Sequence, residues 1–245
     1  MEYFLDNAFI KILTTNAQPL LIQLSPHVVS VIQGKKDSAD LFNQQGLYTW
    51  RIFQRVINLS ETIDDLTYIS HFITGKPPAL TVKECKLTRT AYLQYHMECY
   101  YIKLISIVNK SCLLVNEVYQ LGLPSRLCNS NDLIQMEAIK DTVIETDIKA
   151  LAKALHGKKR LRNFIDHEGK YQDKTLRNIL LYDSSLFTTI RNSKSNRAIN
   201  ILLEKYRKET SSNIYSTQKN LVSFLNKLFI DLSHEYNRRY VLLSQ

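Results

Sequence analysis

The chain has 245 residues, of which 44 % are apolar and 22 % charged, a composition that can bury a real core. Its 6 Gly and 5 Pro are too few for a β-sandwich or barrel, which needs turn residues about every 8–12 positions, so long helices are the expectation. The net charge of +9 resides wholly in the C-terminal part: residues 151–245 hold 18 Lys+Arg against 8 Asp+Glu, whereas residues 1–150 hold 14 against 15. Such asymmetry points to a polyanionic partner, with a basic solvated face as the plain alternative.

The opening Met1-Glu2-Tyr3-Phe4-Leu5-Asp6 has no basic leader, and its apolar run is interrupted at Asp6 and Lys11, so a secretory signal is not expected. No stretch approaches the roughly 18–20 uninterrupted apolar residues that span a bilayer, and a cytoplasmic location without membrane contact is expected. Pro19 and Pro26 break the apolar runs of residues 1–37, leaving short helices and a small strand both open there.

From Asp40 to Thr74, Leu41, Phe42, Leu47, Trp50, Phe53, Ile57, Ile63, Leu66, Ile69 and Ile73 recur at helical steps, with a break expected near Asn58. Gly75, Pro77 and Pro78 close that helix. Thr81-Val82-Lys83-Glu84 has the form of a capping box and opens a helix of about 40 residues reaching Gly122-Leu123-Pro124, long enough for a bundle spine or a dimer interface. A third helix is expected from Asp132 through Ile144, Ile148, Leu151 and Leu155 to a stop at Gly157. Leu176, Ile179, Leu180, Phe187 and Ile190 mark a fourth, of about 18 residues. A polar joint, Arg191 to Asn196, precedes the last element. That element is interrupted at Ser211-Ser212-Asn213 and continues with heptad-like Leu221, Leu225, Leu228, Leu232 and Tyr236.

Cys85, Cys99, Cys112 and Cys128 show no C-x-x-C pair and no histidine at ligand spacing, so buried reduced thiols are expected and no metal. The remaining chemistry lies in Arg162-Asn163-Phe164-Ile165-Asp166-His167, preceded by Lys158, Lys159 and Arg160. A bare Arg-x4-6-His pattern is weak, and Arg89 with His96 satisfies it too. Asn163, the basic lead-in and the preceding helix separate the first from the second. His27, His71, His96, His156 and His234 have no partner nearby in sequence and read as structural. Tyr92, Tyr95, Tyr100 and Tyr101 are able to stack bases, but at helical spacing they read as core or interface.

The segment Leu161 to Gly169 resembles the signature of the HEPN superfamily, compact helical domains that include many RNA-cleaving toxins and defence effectors. The resemblance extends loosely over residues 81–190. It implies an all-α, HEPN-like helical bundle: residues 1–80 as an N-terminal helical extension packing on the core, 81–190 as the core, and 191–245 as a C-terminal long helical element. It further implies a homodimer in which two motifs meet, with Arg162, Asn163 and His167 as catalytic residues. Lys158, Lys159 and Arg160 are expected to bind RNA. One branch of the superfamily, paired with nucleotidyltransferases, carries a tyrosine two positions after the histidine; here that position is Gly169, with Tyr171 two residues on.

The chemistry implied is metal- and cofactor-independent RNA cleavage in stress or phage defence, with RNA, a second copy and an antitoxin or defence-system protein as partners. An imidazole titrates near neutrality and can take the proton of a ribose 2′-hydroxyl, while a guanidinium can clamp the phosphate. On a regular helix, however, residues five apart diverge by about 140°, so Arg162 and His167 need an irregular turn or a second subunit. A catalytically silent module that binds RNA, a nucleotide or a protein, and a purely structural bundle, remain alternatives.

Overall fold

In the computed structural model, which describes residues 2–35, 37–75, 88–169, 171, 173–183 and 193–245, every regular element is helical. Eight α-helices follow in order: α1 (Ala8–Leu24), α2 (Val28–Ile32), α3 (Gln44–Thr74), α4 (Arg89–Val118), α5 (Ser130–Leu133), α6 (Val143–Glu168), α7 (Lys174–Asp183) and α8 (Ser193–Leu242). Short 3-10 turns at Glu2–Phe4, Ser25–His27 and Ser38–Leu41 join the first of them. The regular elements among the described residues of the N-terminal part are therefore all helical; Pro19 sits inside α1, and Pro26 lies in a 3-10 turn.

Several helix ends differ from those the sequence predicts. α3 has no break at Asn58, because Ile52, Val56, Leu59, Ile63, Leu66 and Ile73 form one buried stripe at steps of three, four and seven. The expected third helix is two: Asn129 accepts from the backbone of Asn131 and Asp132 to cap the short α5, and α6 starts anew at Val143. Thr142 accepts from Glu145 N at 3.3 Å, and Glu145 in turn accepts from Asp141 N at 2.6 Å, a reciprocal start of the Thr-x-x-Glu kind. α6 then passes through Gly157 and ends at Gly169, whose φ of +70° suits the left-handed cap. The polar run from Ser193 to Asn196 and the Ser211-Ser212-Asn213 run both lie inside the 50-residue α8. The Thr81 capping box, Pro77, Pro78, Cys85, Phe187, Ile190, Arg191 and Asn192 fall outside the described residues.

The chain packs as two compact units, and the four long helices contribute residues to both. The first comprises Met1–Glu61, Ile107–Lys153 and Leu221–Gln245. Its centre is aromatic: Phe9, Phe229 and Tyr236 are wholly buried, with Phe9 edge-on to Tyr236 at 5.6 Å and Tyr48 stacked on it at 5.7 Å. The Tyr236 hydroxyl accepts from Asn16 at 3.1 Å and shares a 3.3 Å bond with Thr49, so its burial leaves no orphaned polar group. Glu235 beside it holds two arginines: Arg238 donates through Nε and Nη2 at 2.8 and 2.7 Å, and Arg239 donates through Nε. Burial acts to raise the Glu235 carboxyl, but the two guanidinium partners outweigh it and hold the group below its ordinary value. Cys112 and Cys128 are buried thiols pushed up by that burial, to about 12 and about 11, and Cys99 is half-buried; all three are free.

The second unit comprises Thr62–Ser106 and Ala154–Asn220. Leu66, Ile73, Met97, Leu104, Leu155, Ile165, Leu176 and Leu203 form its core. Polar side chains pin α3 to α8: Gln218 donates to the Leu66 carbonyl at 3.0 Å and to Ser70 at 2.7 Å, and buried Arg207 donates to the Ile73 carbonyl at 3.0 Å. Among the described residues no helix is long and apolar enough to cross a membrane.

Three outcomes follow from this packing. Tyr236→Ala is expected to cost about 3–5 kcal/mol of stability in urea unfolding, and Tyr236→Phe only about 1 kcal/mol. Gly157→Ala should stabilise by roughly 0.5–1 kcal/mol, since nothing lies within 4 Å of the added Cβ and the helix loses its most flexible residue. Because the folded Glu235 carboxyl is depressed, its contribution is present above the unfolded carboxylate value of about 4.3 and lost as pH falls through the folded value. The destabilisation by Glu235→Gln measured at pH 7 should therefore narrow once the pH drops below about 4.

Candidate nucleic-acid interface on helix α6

The buried side of α6 follows one stripe: Ile144, Ile148, Leu151, Leu155, position 158, position 162 and Ile165, at alternating steps of four and three. Five of the seven are buried and apolar; the other two are Lys158 and Arg162, both half-buried. The stripe thus turns cationic over one helical turn and then becomes apolar again. Lys159, Arg160, Asn163 and His167 lie off it and are exposed. Of the six residues predicted to bind or cut RNA, the structure puts two on the inward stripe and four on solvent-facing sides.

Arg162 donates through Nη1 to Asp166 at 2.6 Å, an ion pair one turn along the same helix with side-chain exposures of 28 % and 39 %. At that exposure the pair contributes little, on the order of 0.3–0.5 kcal/mol. The Nε of Arg162 is buried and has no hydrogen-bond partner, a cost the fold carries at this turn. Because α6 is a regular α-helix through Glu168, Arg162 and His167 diverge by about 140°, and no irregular turn brings them together within one chain. Asn163 adjoins Arg162 in sequence but projects from another face, next to exposed Phe164.

The second Arg-x6-His pattern has a structural explanation. His96 stacks on Phe72 at 4.9 Å and meets the edges of Tyr92 and Tyr95, and burial holds its imidazole below the ordinary value. Arg89 is exposed. Tyr92, Tyr100 and Tyr101 are core residues as their spacing suggests, whereas Tyr95 is 60 % exposed. Among the described residues no three His, Cys, Asp or Glu side chains gather where they could hold one metal ion.

The sequence marks Tyr100 and Tyr101 as able to stack bases but does not link them to Lys158, Tyr171 and Tyr206, which the fold packs together. The Lys158 Nζ lies 6.0 Å from the Tyr101 ring, which stacks on Tyr171 at 5.3 Å; the Tyr171 and Tyr206 hydroxyls are 3.5 Å apart. Tyr171 is fixed in turn by its backbone N–H, which donates to Glu98 at 2.7 Å. Burial raises the Tyr101 and Tyr171 phenols well above their ordinary value and Tyr206 to about 12, so all three stay neutral hydrogen-bonding groups rather than acids or bases. Four residues of separation and one turn of helix relate Lys158 to Arg162, a link that the run of adjacent basic residues hides.

Against this geometry stands one comparison: the HEPN_Cthe2314-like HEPN family model matches residues 44–219. The chain belongs to that family. The match takes in α3 to α7 and more than half of α8, and it contains the stripe of α6, the Arg162–His167 segment and the tyrosines. Neither a search of curated proteins nor one of solved structures gave a match. The HEPN membership accounts for the all-α bundle and agrees with the resemblance read from Leu161–Gly169.

Because Asn163 and His167 face solvent and Arg162 holds only one partly exposed ion pair, Ala at any of the three is expected to leave far-UV circular dichroism unchanged. Stability should shift by no more than about 1 kcal/mol.

Proposed function

We propose that the chain is a metal-independent endoribonuclease of the HEPN type, in which His167 is the general base, Arg162 the phosphate clamp and Asn163 the orienting group. His167 removes the proton of a ribose 2′-hydroxyl, and the oxygen attacks the adjacent phosphorus in line. The bond to the 5′-oxygen breaks, and that oxygen takes up a proton as it leaves. The products are a 2′,3′-cyclic phosphate and a free 5′-hydroxyl, and DNA, lacking the nucleophile, is no substrate. Arg162 neutralises the charge on the phosphate through two parallel hydrogen bonds, which an ammonium does not reproduce.

The observation that carries the reading is the exposure of Asn163 and His167 in the last turns of α6, beside Arg162 and the basic run 158–160, all within the span matched by the HEPN family. The 140° divergence of Arg162 from His167 asks for a second copy, so that the base of one subunit faces the clamp of the other across a twofold axis. Lys158, Lys159 and Arg160 then add RNA-binding charge along the groove. A place in stress or phage defence, and restraint by an antitoxin or other defence-system protein, are what this chemistry would serve.

A second reading, a silent module that binds RNA, a nucleotide or a protein without cutting, is favoured by the Arg162–Asp166 pair, which occupies the guanidinium with the helix's own carboxylate.

The test is cleavage of mixed single-stranded and structured RNA by the purified chain. Under the proposal, excess EDTA leaves the activity unchanged and the 3′ ends carry cyclic phosphate. His167→Ala and Arg162→Lys each lower the rate by at least about 100-fold. Light scattering should report a dimer. Intact RNA in the presence of tight, salt-sensitive RNA binding would instead establish the silent module. Loss of cleavage in EDTA with recovery in magnesium would replace the mechanism.

A further inference from the structure

The tyrosines beside Lys158 wall a pocket of about 360 Å³ within the unit formed by Thr62–Ser106 and Ala154–Asn220, a volume at the lower end of the roughly 300–1,000 Å³ of small-molecule sites. It draws on α4, α6, α7 and α8, and its lining has three chemical parts. Tyr100, Tyr101, Tyr171 and Tyr206 supply aromatic surface; Asp173, Glu209, Thr210, Asn213 and Thr217 supply hydrogen-bonding groups; and among the described residues Lys158 supplies the one cationic side chain. Tyr100 is 2 % exposed, and its hydroxyl faces the Thr217 hydroxyl on the same wall without a hydrogen bond of good geometry; Thr217 itself donates to the Asn213 carbonyl at 2.8 Å. A buried phenol held by so loose a contact gains from a better placed partner in the pocket.

We propose that this pocket receives a single unstacked base of the RNA, with preference for a base that bears an amino group, while Lys158 holds the adjoining phosphate. The inference rests on the reading of RNA as the ligand class and is independent of cleavage. Aromatic walls suit a planar heterocycle, and proteins read unpaired RNA bases by stacking them on such rings and bonding their edges. The two carboxylates decide which edge is favoured. Asp173 spends Oδ1 on the N-terminus of α7, accepting from Leu176 N at 2.8 Å, and keeps Oδ2; Glu209 lies at the rim, 4.0 Å from Lys205. Carboxylates only accept, so they favour the exocyclic amino groups of adenine, guanine and cytosine over uracil, whose lone N3–H is flanked by two carbonyl oxygens that repel a carboxylate. Tyr100 can donate to a ring nitrogen or accept from the same amine. One turn beyond Lys158 on the stripe stands Arg162, which puts the pocket within a nucleotide of the proposed phosphate clamp.

The experiment is calorimetric titration of the full chain with AMP, GMP, CMP and UMP at low salt, repeated on Tyr100→Phe and Lys158→Ala, with melting curves for each. AMP, GMP and CMP should saturate, and UMP should bind at least about fivefold more weakly. Tyr100→Phe should change the melting temperature little, because it deletes a buried hydroxyl that makes no well-formed hydrogen bond, yet weaken the three amine-bearing nucleotides about three- to tenfold. Lys158→Ala should weaken all four alike and flatten the salt dependence. Four equal affinities, or a Tyr100→Phe chain that binds as the wild type does, would overturn the proposal. If nucleotides bind in the expected order but RNA stays uncut, the endoribonuclease reading fails and the pocket stands. If RNA is cut through His167 without any base preference and no nucleotide binds, the pocket alone fails.

Discussion

The inward stripe of α6 is the constraint from which the candidate chemistry follows. A helix that keeps apolar residues at steps of three and four buries them against its neighbours, and α6 does so from Ile144 to Leu155 and again at Ile165. Placing Lys158 and Arg162 on two consecutive positions of that stripe forces two cations towards the packed side of a helix. Desolvating a charge is costly unless something answers it. Here the answers are a tyrosine face for Lys158 and a carboxylate one turn away for Arg162, and neither removes the side chain wholly from solvent. The stripe therefore converts part of a hydrophobic seam into a cationic edge that is held in place by the seam on both sides.

The aromatic residues of the second unit are the complement of that edge. Tyr101, Tyr171 and Tyr206 belong to the core by burial, yet their hydroxyls and the polar side chains of α8 keep the space between the helices from closing as an apolar contact would. The contrast with the first unit is instructive. There the hydroxyl of Tyr236 meets Asn16 and Thr49, the surrounding rings are Phe and Tyr, and its aromatic core is satisfied from within. One unit uses tyrosine to fill a core; the other uses it to line a cavity.

The fold class was legible because apolar periodicity of three to four residues runs through almost every segment, and membership in the HEPN family rests on a match far wider than the short motif that suggested it. Helix ends were harder to read. Gly157 predicts a stop because glycine commonly ends helices, but it lies off the buried stripe with open space around it, and tertiary packing on either side carries the helix past it. The actual cap, Gly169, follows the motif, so the Arg162–His167 segment belongs to the helix rather than to what comes after it. Thr142-Val143-Ile144-Glu145 has the same form as Thr81-Val82-Lys83-Glu84 and marks the start of α6. Apolar periodicity alone reaches only Leu155, because the next two positions of the stripe are Lys158 and Arg162. The pocket was invisible for a different reason: Tyr101, Tyr171 and Tyr206 are far apart in sequence, and only the packing of α4, α8 and the segment before α7 brings them together.

If Arg162 clamps a phosphate as proposed, its ion pair with Asp166 gives α6 a built-in competitor for that phosphate. A carboxylate four residues away on the same helix sits at an effective concentration on the order of millimolar or higher, so any phosphate that engages both guanidinium edges must first displace it. The pair is worth only a few tenths of a kcal/mol, which lowers the apparent affinity about twofold. On the proposed reading Asp166 is therefore a weak resident partner, which keeps the guanidinium oriented until a phosphate takes its place.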